Sequence, residues 1–388
     1  MKKICVVTGT RAEYGLLKPV IERISSDKEL ELFLIAIGAH LSPEFGLTYK
    51  EIENDGYVID KKVEMLLSAD TPGSIVKSMG LGLIGLADVF ADVLPDMVVI
   101  LGDRYEMLAA ASAAMIHRIP IAHIHGGETT EGMIDEAARH AITKMSYLHF
   151  ASTAAYRNRI IQLGENPERV FNVGALGIEN IKTIRLLDKE ELEKSINFKF
   201  GENTVLVTYH PVTLENQSSS EQFYNLLKVL ESRTELHIIF TKTNSDTDGR
   251  IINRMIDAFV AKNNDRSIVY TSLGRTRYLS VLKYVSMVIG NSSSGIIEVP
   301  SFHIPTVDIG DRQRGRIASD SVIHCKTDAE SINHAFSKAM QKDFRESIKN
   351  IKNPYEGKRT SAEILDIIKQ YLQNGIDLKK KFYDLDIG

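Results

Sequence analysis

What most constrains this chain is a rhythm. Short apolar runs bounded by Gly, Asp or Pro alternate with longer amphipathic stretches, and the alternation comes in two successive series. Strands buried on both faces read as continuous Val/Ile/Leu runs, and parallel strands need long crossovers between them, usually helices. The first series predicts strands at residues 4–8, 32–37, 97–101, 121–125, 148–150 and 170–173. The second predicts them at 205–208, 236–240, 268–270, 287–289 and 306–309. The expected fold is therefore α/β, with two Rossmann-like doubly wound domains facing across a cleft. A length of 388 residues suits two domains.

The rhythm lapses over residues 177–200, where Asp188-Lys189-Glu190-Glu191-Leu192 reads as an exposed helix. This puts the boundary near residue 180, with domains at 1–180 and 181–365. Lys+Arg 47 against Asp+Glu 51 leaves a charge of −4, so nothing draws the whole chain onto nucleic acid, and any phosphate must be held locally. Cys5 and Cys325 lie far apart without metal-ligand or Cys-x-x-Cys spacing, so neither a disulfide framework nor structural zinc is expected. A strand-like run begins directly after Lys2-Lys3, and no segment reads as apolar enough to span a bilayer. The expected location is the cytoplasm. The three lysines Lys379-Lys380-Lys381 read as solvated charge.

In such sheets ligands bind beyond the carboxyl ends of the strands. The first run ends in Gly9-Thr10-Arg11-Ala12-Glu13, a turn that opens a helix with a guanidinium in reach of a phosphate, or simply in a solvent-facing Arg. It is not Gly-x-Gly-x-x-Gly, which argues against a nicotinamide cofactor. The third ends in Gly102-Asp103-Arg104, where Asp103 either serves a substrate or caps the next helix. The fourth ends in His123-Ile124-His125-Gly126-Gly127-Glu128, followed by Asp135-Glu136-Ala137-Ala138-Arg139-His140. Strand alternation predicts His123 and His125 on one face. The histidines lack zinc-site spacing, so acid/base chemistry is the more economical use, with no metal.

In the second series, Tyr209-His210-Pro211-Val212 puts a histidine at a strand edge, as a phosphate donor, an acid or a structural group. Gly290-Asn291-Ser292-Ser293-Ser294-Gly295-Ile296-Ile297-Glu298 is the most specific motif. Its small residues let backbone amides converge at a helix start suited to a diphosphate, and Glu298 lies about a turn further on, within reach of ribose hydroxyls. A serine-rich N-cap is the plainer alternative. Gly310-Asp311-Arg312-Gln313-Arg314-Gly315-Arg316 adds cationic side chains downstream.

Taken in order, these motifs resemble those of the hydrolysing UDP-N-acetylglucosamine 2-epimerases over nearly the whole chain. The resemblance implies the glycosyltransferase-B architecture, with a C-terminal helix (366–388) returning to the first domain, and a homodimer or homotetramer. It implies UDP contacts from Arg11, His210, Ser292, Ser293, Glu298 and Arg312, with Arg104 nearby. Asn244, Ser294 and Gly295 complete the expected substrate contacts. Asp103 and Asp135 match the family's catalytic carboxylates. Many relatives read His-Ile-Glu-Gly-Gly-Glu where this chain has His125, so either His125 or Glu128 takes up that acid/base work, or the chain belongs to a subgroup that divides the labour differently.

The implied reaction uses no cofactor. UDP leaves, a C2 proton is lost to give a 2-acetamidoglucal, and water adds with the opposite C2 configuration to give N-acetylmannosamine and UDP, a step toward sialic or related nonulosonic acids. Competing readings are a 2-epimerase of UDP-N,N'-diacetylbacillosamine, a non-hydrolysing epimerase, a glycosyltransferase with an acceptor pocket, and a non-catalytic sensor. A sensor has no need of Asp103 and Asp135 together.

Overall fold

In the computed structural model, which describes residues 1–67, 69, 71–131, 133–212, 219–243 and 249–386, the rhythm resolves into two parallel sheets flanked by helices. The first holds β1 (Lys2–Thr8), β2 (Leu30–Ile37), β3 (Lys61–Val63), β4 (Met97–Leu101), β5 (Ile121–Ile124), β6 (Leu148–Ala151) and β7 (Val170–Asn172), in the order β3-β2-β1-β4-β5-β6-β7. The second holds β8 (Thr204–Thr208), β9 (His237–Thr241), β10 (Ser267–Tyr270), β11 (Met287–Gly290), β12 (Thr306–Ile309) and β13 (Val322–Cys325), in the order β10-β9-β8-β11-β12-β13. Both orders reverse once, between β1 and β4 and between β8 and β11. At such a switch point the loops after the two central strands diverge and leave a crevice. The Gly9–Arg11 and Asp103–Arg104 motifs follow β1 and β4; the His210 and Ser292 motifs follow β8 and β11.

Period-two alternation divides each strand between two cores. Ile4 and Val6 of β1 join one cluster with Leu17, Ile21 and Ile364, while Cys5 and Val7 join another with Leu86, Phe90 and Met107. The second sheet does the same, with Val205 and Val207 on one side and Leu206 on the other. The 188–192 motif begins a helix, Lys189–Ile196, whose Asp188 and Glu191 form a reciprocal capping box.

The chain divides into two units. Met1–Glu128, Asp135–Asn180 and Tyr355–Gly388 form the first, and Thr129–Ile134 with Ile181–Pro354 form the second. The return into the first unit starts at Tyr355, whose hydroxyl lies 2.9 Å from that of Tyr156. There the backbone passes against itself. A Cβ on Gly174, at φ +83°, would sit 2.4 Å from Cα of Gly357, so the crossing requires glycine. The Thr360–Asn374 helix then packs on the Arg11–Ser26 helix, with Arg23 Nε donating to Ser361 Oγ at 2.7 Å.

Several expectations change. β3 and β13 were not anticipated; both are sheet edges, and Lys61-Lys62-Val63 is too charged to read as a strand although lysine suits an edge. β5 stops at Ile124 rather than at residue 125. The 22-residue helix Pro72–Val93 does reach, by length and composition, what a bilayer span requires, with a mean hydropathy of 1.5 over its most apolar window. Here it is a crossover between β3 and β4, and Leu86, Val89 and Phe90 fill the core. Lys380 is not solvated charge either: its Nζ lies 2.7 Å from Oε2 of the buried Glu165 and donates to the carbonyl of Ser146 at 2.6 Å.

Candidate active site

In the first unit, one buried cation organises the strand ends. Arg139, 1% exposed, donates to Asp103 Oδ2, to Glu136 Oε2 at 2.7 Å and to the carbonyl of Glu128 at 2.8 Å. Three segments, the turn after β4, the turn after β5 and the first turn of the Asp135–Met145 helix, are thereby held on a single guanidinium. Burial pulls its pKa down, but the charges of Asp103 and Glu128 outweigh that and the net shift is upward. Asp103 stays about one-fifth exposed, so it can meet a ligand while its partner cannot.

The two histidines of the β5 motif part company. His123 is fully buried, with Nε2 donating to the carbonyl of Gly102 at 2.7 Å, which makes its Nδ1 the acceptor for Thr143 Oγ1 at 3.3 Å. Burial first, with the nearby His149 and Arg139 adding to it, pulls its pKa down to about 3, so it is neutral and structural. His125 lies beyond the strand in left-handed backbone, φ +64°, a costly conformation for a residue other than glycine. The expected shared face is therefore lost. His125 Nδ1 instead lies 3.8 Å from Glu128 Oε1, and that oxygen accepts from Ser152 Oγ at 2.7 Å. Gly127 allows the turn, since a Cβ there would sit 2.4 Å from the carbonyl oxygen of Tyr156.

Asp135 is the first residue of its helix and half-buried, where a carboxylate suits the positive helix end. Arg11 likewise opens the Arg11–Ser26 helix, behind a capping box of Thr10 and Glu13. Glu13 Oε2 accepts from the amides of Gly9 at 2.7 Å and Thr10 at 3.2 Å. Burial and then the charge of Glu106 push its pKa up to about 8. Neighbouring His40, hydrogen-bonded to Thr8 and Thr48, is held down at about 4 by burial and then by the charge of Arg11. Arg104 grips the fully buried Glu106 through two contacts of 3.2 and 3.3 Å.

In the second unit a neutral side chain takes the central place. Asn291, 1% exposed, accepts from the amide of His210 at 2.7 Å and donates to its carbonyl at 2.8 Å. Its own carbonyl accepts from Arg312 Nη1 at 3.1 Å and Gln313 Nε2 at 2.8 Å. Asn291 thus fixes the loops bearing His210 and Arg312 to the start of the serine motif. That motif forms a helix of only five residues, Ser293–Ile297, capped by Ser292. Its dipole is short, so any anion binding there rests on local amides and hydroxyls rather than on a long macrodipole. Ser294 is turned toward Tyr278, whose hydroxyl lies 2.5 Å away, and Gly295 lets Thr306 approach closely. Glu298 is the C-cap of the short helix. Asn244 lies outside the described residues.

Of the expected residues, the structure links Asp103, Glu128 and His125 in the first unit and His210, Ser292 and Arg312 in the second. Arg139 and Asn291 stand within the sequence motifs, but the motifs alone assign them no role. For Asn291 a signal was present, a polar residue directly after a buried strand, whereas Arg139 stands within a helix among charged neighbours and offers none. Among the described residues, no three His, Cys, Asp or Glu side chains gather as a metal-ligand group.

Residues 22–369 match the family model described as UDP-N-acetylglucosamine 2-epimerase. Among curated proteins, the chain is 45% identical, over 89% of each sequence, to the GDP/UDP-N,N'-diacetylbacillosamine 2-epimerase (hydrolyzing) of Campylobacter jejuni. It is 38% identical to the polysialic acid biosynthesis protein P7 of Escherichia coli, over 99% of this chain and 98% of that one. Among solved structures, the UDP-GlcNAc 2-epimerase of Neisseria meningitidis, bound to UDP-GlcNAc, superposes with a TM-score of 0.80 at 19% identity, over 95% of this chain and all of that one, a likeness of fold.

Proposed function

Because this chain belongs to the UDP-N-acetylglucosamine 2-epimerase family and is a UDP-sugar 2-epimerase, we propose that it is of the hydrolysing kind and that its sugar is N,N'-diacetylbacillosamine. The 45% identity to a relative of that name carries the reading. In it, Ser292, Ser293, His210 and Arg312 receive the diphosphate, with Arg11 and Arg104 supplying further positive charge and Asn244, Ser294, Gly295 and Glu298 completing the nucleotide contacts. The unactivated C2–H is not acidic. Departure of UDP makes it removable, because breaking the anomeric bond develops positive charge on the ring, and loss of the proton gives a glycal. Preorganised cations and amides stabilise the charge growing on UDP.

Asp103 and Asp135, with His125 or Glu128, divide the removal of the C2 proton from the delivery of water and a proton to the glycal. The Arg139 contacts suit this division, since they fix Asp103 and the Glu128 main chain on one rigid group. The products are UDP and the free sugar inverted at C2. Both cysteines are free, which fits a reducing cytoplasm as the place of action.

A second reading, UDP-N-acetylglucosamine as substrate and N-acetylmannosamine as product, is favoured by the 38% identity to a polysialic acid biosynthesis protein. Turnover of both UDP sugars in parallel, with no acceptor added, tests the pair. The proposal expects free UDP from both to be measurable but kcat/KM to be at least tenfold higher for the diacetylated sugar. A preference for UDP-N-acetylglucosamine reverses the order. In D2O the product should carry deuterium at C2, and an unlabelled product rules out elimination.

A further inference from the structure

Two buried carboxyl groups meet at the switch point of the first sheet. Glu106, fully buried, stands in the first turn of the Tyr105–Ile116 helix and is gripped by Arg104. Glu13, 6% exposed, comes from the Arg11–Ser26 helix. Both flank Gly9, where a Cβ would lie 3.3 Å from Glu106 Cβ and 3.3 Å from Glu13 Oε2. Gly38, at φ +61° just after β2, makes room on the other side, since a Cβ there would come 3.0 Å from Glu106 Cγ. Glycines at the ends of β1 and β2 thus let two acidic side chains pack where apolar ones would be expected.

Glu13 uses only half of its carboxyl. Oε2 accepts from the amides of Gly9 and Thr10, while Oε1 is buried and meets no hydrogen-bond partner among the described residues. An ionised group here would place charge on an unpaired buried oxygen, beside a second carboxylate that already occupies the guanidinium, and both features favour the neutral acid. Burial and then Glu106 push the Glu13 pKa up to about 8, against the pull of Arg104 and of the two amides.

We propose that Glu13 works as a neutral carboxylic acid, a positioning residue that keeps the cluster at the ends of β1 and β4 cationic for the diphosphate of UDP. The inference rests on the reading that Arg11 and Arg104 add positive charge to the UDP site, and is independent of which sugar is turned over. The titratable and charged groups facing Glu13, among the described residues, are Glu106 and Arg104 after β4, Arg11 on its own helix and His40 after β2. His40 is neutral near pH 7, and Asp103 on the neighbouring turn is held by Arg139. Two guanidinium groups against the Glu106 carboxylate leave one positive charge while Glu13 is protonated and none once it ionises. By linkage, an anion that favours the cationic cluster must draw a proton onto Glu13 as it binds.

Calorimetry of UDP binding to the full chain, in paired buffers of different ionisation enthalpy between about pH 7.5 and 9.5 where the diphosphate keeps its own charge, tests it. The wild type should take up about a third of a proton as UDP binds near pH 8.5, and its affinity should fall about three- to fivefold across the range, the effect of one unit charge at close range under strong solvent screening. Glu13→Gln, whose amide keeps the capping contacts, should bind UDP with no proton uptake and with an affinity flat over the range. Glu106→Gln relieves Glu13 of its neighbour and should move the midpoint of the fall downward by about one pH unit. That variant decides the matter if Glu13→Gln lowers the melting temperature. UDP bound by the wild type without proton uptake, uptake undiminished in a folded Glu13→Gln, or a midpoint unmoved by Glu106→Gln would overturn the proposal. A chain that binds no UDP at any pH would instead overturn the nucleotide reading, and this inference with it.

Discussion

The two units solve different problems with the same sheet topology. The first surrounds its strand ends with ionisable groups on a buried guanidinium: Arg139 holds Asp103 and Glu136, and Arg104 holds Glu106. The second organises its corresponding crevice on a neutral residue, with Asn291 tying the loops of His210 and of the cationic Arg312 together through four hydrogen bonds beside a serine-rich turn of five helical residues. Proton transfer needs titratable groups fixed in a low dielectric, where an unpaired charge is costly. Binding a diphosphate needs converging amides and hydroxyls, and neutral residues supply these without the desolvation of a buried ion.

The contrast breaks most sharply at the two organising residues. Arg139→Met should remove about 3–5 kcal/mol of stability, the usual effect of breaking a buried ion pair, and abolish turnover with it. Urea unfolding that shifts by less than about 1 kcal/mol would show that the cation does not organise this unit. Asp103→Asn should leave the fold intact and lower kcat by roughly 10²–10⁴, while calorimetry finds UDP affinity within a few-fold of wild type. Lost UDP binding would make Asp103 a structural residue.

His125→Ala sharpens the same side. A fall in rate of about 10²–10⁴ is expected if the imidazole transfers a proton. A double mutant with Glu128→Gln hardly slower than the worse single would make the two one unit. Asn291→Ala should do the reverse of Asp103→Asn. It should weaken UDP by about tenfold and cost about 1–3 kcal/mol of stability, because buried backbone groups of His210 lose their partners, with a smaller change in kcat. Unchanged UDP affinity would separate the clamp from the nucleotide site.

Near neutral pH the smallest effect is that of the histidines, and its pH dependence differs in sign between the units. His123 and His40 have folded pKa values of about 3 and about 4, below the unfolded value near 6.5. Unfolding takes up their protons, so each contributes stability that is complete above about pH 6.5 and falls by about 1.4 kcal/mol per unit as pH drops toward its folded value. His324 in the second unit is raised by its hydrogen bond to Asp308, so its contribution is present below about 6.5 and lost as pH rises through the folded value. His123→Gln should flatten the acid slope by one proton's worth, and an unchanged slope would refute the assignment.

The sheets were legible because parallel strands are buried on both faces and so read as unbroken apolar runs. Edge strands escape this logic, and Lys61-Lys62-Val63 carries no such run. The strand-end motifs were legible as positions but not as partnerships. Nothing in a period-two pattern shows that the strand ends before His125, or that the backbone there turns left-handed and brings the ring beside Glu128. Arg139 was hidden for a related reason. On a helix with charged neighbours it reads as surface, and only the fold around it leaves it 1% exposed.

The return of the chain at Tyr355 has a consequence in time. Along the chain the first unit is begun, the bulk of the second follows, and the first is then completed, since Ile364 and Ile368 fill its core and Lys380 reaches the buried Glu165. Until the Thr360–Asn374 helix has been made, the first unit's core lacks that helix, while the second unit, which ends at Pro354, has already been synthesised. A ribosome paused near residue 360 would therefore hold a finished second unit beside a first unit whose strands were made long before their covering helix.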